Sequence, residues 1–97
     1  MKRAVAAGSR AGVQADVVIL AEEAALSLLA RSISFGHGRL AVIRLVMAVQ
    51  AGADVPQEHW TYCREAASRS QDDRLRELFF EAAQSAASRA ARAVRVQ

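Results

Sequence analysis

Beyond Gly12 this chain can turn sharply in very few places. Glycine and proline occur there only at Gly36, Gly38, Gly52 and Pro56, while 22 of the 97 residues are alanine. Alanine loses no side-chain entropy and hides no polar group when a helix forms, whereas glycine and proline are the residues a helix interior tolerates least. The pattern predicts an all-α fold of about four helices, and the length allows a single domain, residues 1–97.

The first helix is expected from about Asp16, a residue able to cap it and oppose its dipole, to Ser34. Phe35-Gly36-His37-Gly38 then supplies a C-cap and a turn. A second helix is expected over Arg39–Ala51, stopping at Gly52. Asp54-Val55-Pro56-Gln57 reads as the start of a third helix reaching about Arg69: an acid, a proline in the first turn, and a glutamine three residues on. Ser70-Gln71-Asp72-Asp73 repeats that signature and opens a fourth helix through Val94. Residues 1–12 carry Gly8, Ser9 and Gly12 without a period and read as a loose N-terminal arm. The connections are short, so consecutive helices fold back into a four-helix antiparallel bundle.

The faces of these helices differ. Wound at ~100° per residue, the fourth has one apolar side (Leu75, Leu78, Phe79, Ala82, Ala83, Ala86, Ala90, Val94) and one polar side, as a bundle helix should. In Leu40–Val49 the large apolar side chains instead sweep roughly 220°, wider than the ~100° stripe of a surface helix. Arg44 is the one charge in that run. The first helix is apolar over more than half its circumference through Val17, Val18, Leu26, Leu28, Leu29 and Ile33, and keeps a polar stripe of Glu23, Ser27, Arg31 and Ser34. A domain this small cannot bury two such helices all round. Either one is central in a less regular packing, or the remainder meets another chain, most simply a second copy. Leu40, Ile43, Val46 and Met47 are the expected interface residues, and the hinge at Gly36 and Gly38 permits exchange of the first helix between protomers.

The net charge of +3 and pI near 10.0 resemble a nucleic-acid signal. The basic residues at the ends account for it: residues 11–88 hold seven basic residues against all ten acidic ones, a net charge of −3. Arg89, Arg92 and Arg95, three apart, are the candidate phosphate contacts, with complementing the negative end of their own helix as the default role. No aromatic residues interleave with them to stack bases. Residues 40–69 make a poor helix-turn-helix, because the would-be recognition helix balances Arg64 and Arg69 against Glu58 and Glu65. Nucleic acid is thus an unlikely partner. The lone Cys63 excludes an internal disulfide. No stretch reads as a signal peptide or a membrane span, and the chain is expected to be soluble and cytoplasmic.

Two groupings have the residue types for chemistry. His59 and Cys63, one turn apart on the third helix, match the spacing of a metal-ligand pair or an activated thiolate. A metal needs more ligands than these, so a core cysteine beside a hydrogen-bonded histidine is the plainer expectation. Glu22 falls among Ile19, Leu26, Leu29 and Ile33, where an unpaired carboxylate is costly. Arg44 is its expected partner, with His59 second. Taken together, Glu22, Arg44, His59, Trp60, Tyr62 and Cys63 form a candidate small-ligand pocket. No phosphate loop, zinc-protease helix, calcium loop or nucleophile elbow is present. The expectation is a non-enzymatic helical oligomer, a dimer first of all, that shows an apolar surface to a protein partner. It is expected to need no cofactor, metal or catalytic residue. The alternatives are a small-molecule-binding accessory protein using that pocket and a nucleic-acid-binding regulator using the basic termini.

Overall fold

The computed structural model describes the backbone of residues 10–96 and the side chains of residues 16–92. It has four helices, α1 (Arg10–Ser34), α2 (Gly38–Gln50), α3 (Gln57–Arg69) and α4 (Asp73–Val96), and no strand among the described residues. The fold is all-α, as the alanine content and the spacing of breaks require.

The glycines end two helices as expected. At the end of α1, Gly36 takes φ 72°, its N–H donates to Ile33 O, and the His37 N–H donates to Ser32 O at 2.9 Å. At the end of α2, Gly52 takes φ 88°, its N–H donates to Val49 O, and the Ala53 N–H donates to Ala48 O at 3.0 Å. Both are Schellman closures, which need a residue free to adopt positive φ.

The helix starts differ from the sequence expectation. α1 begins at Arg10, so Asp16 is an interior residue rather than a cap, and residues 10–12 are helix rather than loose arm. One glycine costs a helix only about 1 kcal/mol, too little for Gly12 to interrupt it. Residues 1–9 lie outside the described residues. At α3 the capping position is Pro56, with no side-chain bond, and Asp54 stands apart, exposed. At α4 the cap is Asp72, not Ser70: its Oδ1 accepts from the Arg74 N–H at 3.0 Å, and its own N–H donates to the Ser70 hydroxyl. Asp72 also accepts from Arg39 at 2.7 Å, tying the start of α2 to the start of α4. That bond holds the Asp72 carboxyl below its ordinary pKa, ahead of a smaller opposing effect of desolvation.

α2 is the hub. It packs on α1, α3 and α4, whereas α1 and α4 do not pack on each other among the described residues. Leu29, Ala41, Val42, Leu45, Cys63, Ala67 and Leu75 form the core, with the Trp60 and Phe79 rings edge to face at 5.9 Å beside it. Small residues set the spacing of α2 and α3: a Cβ on Gly38 would lie 3.1 Å from Ala66 Cβ.

α1 outruns its support. It has 25 residues against 13 in α2, and Glu22 already lies level with Gly52 at the end of α2. Just before Glu22, Val17, Val18, Ile19 and Leu20 are 56, 50, 50 and 62% exposed. Four consecutive residues span most of a helix's circumference, so among the described residues this segment is closely covered on no side. Val18 and Ile19 continue the stripe that Glu22, Leu26, Leu29 and Ile33 turn to the core, past the point where the core ends. The accessible surface, 7101 Å², compares with about 5400 Å² for a compact monomer of this mass. The radius of gyration, 16.2 Å, compares with roughly 13 Å for a compact domain of this length.

Candidate functional site: an uncovered apolar face

The six residues of the expected pocket do not converge. Cys63 is fully buried in the core, and burial pushes its thiol up to about 11. A thiol that stays protonated at neutral pH is neither a nucleophile nor a ready metal ligand. His59 is half-buried, with Nδ1 enclosed and unbonded among the described residues. Among those residues no three histidines, cysteines or carboxylates gather as a metal site would require.

Glu22 and Arg44 are not partners. Helix α1 runs back along α2, which puts Glu22 beside the C-terminal end of α2, whereas Arg44 sits mid-helix. There Arg44 Nη1 donates to Met47 Sδ at 3.6 Å, and its Nε is enclosed and unbonded among the described residues. Glu22 instead flanks Gly52: its Oε2 and the Nη1 of Arg89 lie 3.4 and 3.9 Å from the position a Gly52 Cβ would take. Arg89 Nη2 donates to Val49 O at 3.1 Å. Arg89 thus complements the negative end of α2, not that of its own helix. Of the other candidate phosphate contacts, Arg92 is exposed and the Arg95 side chain lies outside the described residues.

Four shallow concavities lie among the described residues, and none of these four gathers the expected set. One of about 320 Å³ lies between Val49, Ala53, Val55, Trp60, Ala86 and Ala90, with Asp54 and Arg89 also lining it. A second, also about 320 Å³, lies between the Gly36–Gly38 turn and Tyr62, Glu65, Arg69 and Ser70. A third, about 210 Å³, is bounded by Trp60, Arg64 and Phe79. A fourth, about 710 Å³, is lined among the described residues by Glu81, Gln84, Ser85, Ala87, Ser88, Arg89 and Arg92 of α4.

The chain is more unusual in what it leaves uncovered. On α2, Ala41, Val42, Leu45, Ala48 and Val49 face inward. Leu40, Ile43 and Met47, spaced i, i+3, i+7 on the opposite side, remain 38, 37 and 44% exposed. The fourth expected interface residue, Val46, is half-buried on the flank of that stripe. Leu28, already part of the wide apolar arc expected of the first helix, is 38% exposed, while Phe35 and Phe80, which sequence reasoning did not single out, are 66 and 61% exposed. Phe35 was absorbed into a glycine turn, and Phe80 sits next to the core-facing Phe79. The exposed apolar set therefore extends over three helices, α1, α2 and α4.

Comparison with known proteins finds no matching family model, no similar curated protein and no similar solved structure. No helix is long and apolar enough to cross a membrane, among the described residues.

Proposed function

We propose that this chain works by association: it is a non-enzymatic helical oligomer, a dimer in its simplest form, whose apolar surface on α1 and α2 meets its own copies and a protein partner. The observation that carries this reading is the exposure of Leu40, Ile43 and Met47 on one helix together with Val17, Val18, Ile19 and Leu20 on its neighbour. Large apolar side chains left in water in this number are of the kind that marks an interaction surface rather than an ordinary monomer exterior. The buried, protonated Cys63 and the dispersal of Glu22, Arg44 and His59 favour association over chemistry.

The test is solution mass against concentration, with Ile43→Asp and Met47→Lys as probes. Both positions are exposed, so the variants keep their helix content while losing the contacts made through α2, seen as lost partner capture or lost higher association. A wild-type chain that stays monomeric at every concentration, and variants that behave identically to it, overturn the reading.

A further inference from the structure

The outward side of α1 carries its own repeat. Val17, Ala21, Ala24, Leu28, Arg31 and Phe35 are all exposed, and their spacing is 4-3-4-3-4. That is the heptad seam of a helix pair, on the opposite flank from the stripe that Leu29 and Ile33 bury. Phe35 stays in helical register, because its N–H donates to Arg31 O at 3.0 Å. The seam spans 18 residue steps, roughly 27 Å at 1.5 Å each.

We propose that this seam pairs with the same seam of a second copy, the two α1 helices running antiparallel about a two-fold axis midway between Ala24 and Leu28. The proposal rests on the self-association reading above and gives it a surface and a register. Charge selects the orientation. A parallel pair would set Arg31 against Arg31 at one level within the seam. The antiparallel pair separates the two Arg31 by about 15 Å along the axis. It places each against the small Ala21 of the other copy. Arg31 leans toward the flank that carries Asp16 and Glu23, and a two-fold axis of this kind keeps equivalent flanks on one side. Each guanidinium therefore lies within about one turn of the other copy's Glu23.

Size agrees with charge. In this register Ala24 faces Leu28 and Val17 faces Phe35, small against large at each level, as interdigitating helices need.

The experiment uses two full-length chains, one carrying Ala24→Cys and one Leu28→Cys. Cys63 is left in place because it is buried. Each chain is oxidised alone and as an equimolar mixture, with circular dichroism to establish folding and light scattering to establish mass. Covalent dimer in the mixture, and little in either chain alone, is the expected result. Dimer in each chain alone would mean a parallel pair and would overturn the proposal. A non-covalent dimer without any cross-link would overturn the register while leaving self-association standing, and a monomer throughout would overturn both. As an independent check, Ala24→Glu buries a charge in the seam without touching the core and should weaken association about tenfold or more; an unchanged dimer would contradict the proposal.

Discussion

Two titratable residues show how burial and pairing set the behaviour of single groups in this chain. Cys63 lies in the core with its thiol pushed up to about 11, above the ordinary cysteine range. Burial favours the protonated form, so its contribution is present at neutral pH and is lost as pH rises through that value. Alkylation of the native protein at mildly alkaline pH should therefore be slow and should become rapid on unfolding; fast native labelling would contradict the burial. Asp72 behaves in the opposite sense. Its carboxyl is held low by Arg39, so stability conferred at neutral pH is lost as pH falls through the carboxylate range. Asp72→Asn should flatten the acid limb of the melting profile, and a profile unchanged from wild type would show that the cap and the bond contribute nothing. Gly52 is the residue whose backbone matters most. With φ 88° and Glu22 3.4 Å from an added Cβ, Gly52→Ala should cost about 1–2 kcal/mol, measured by denaturant unfolding.

At the scale of the helices, the sequence shows why some boundaries were legible and others were not. The ends at Gly36 and Gly52 were readable because positive φ has so few alternatives to glycine. The starts were not, because several nearby polar residues compete for each cap: Asp72 won over Ser70, and Pro56 took the position assigned to Asp54. Gly12 failed to break α1 since its cost is small beside the alanines around it. The candidate site was less legible than the fold. Glu22 was correctly placed on the inward stripe of α1, yet its neighbour depends on how far α1 runs along α2, which no pattern within one helix encodes. The same is true of Arg89, whose hydrogen bond to Val49 O spans forty residues of sequence. Losing that bond in Arg89→Ala should cost about 1 kcal/mol and loosen the end of α2, seen as faster amide exchange in residues 49–53; unchanged exchange would remove Arg89 from that role.

For the whole molecule, the arrangement follows from unequal helix lengths around a short hub. α2 is too short to cover α1, and α4 does not reach it, so apolar residues that would lie inside a larger domain face outward here. The wide apolar arcs of the first two helices were visible in the sequence, and the hub role of α2 accounts for only part of them, since Leu40, Ile43 and Met47 remain outside. The central claim is that a second molecule covers this surface. Sedimentation velocity from the nanomolar to the high micromolar range tests it most directly: the account predicts a concentration-dependent shift from a 10.4 kDa species to one of twice that mass. A single monomer boundary across the whole range would contradict it.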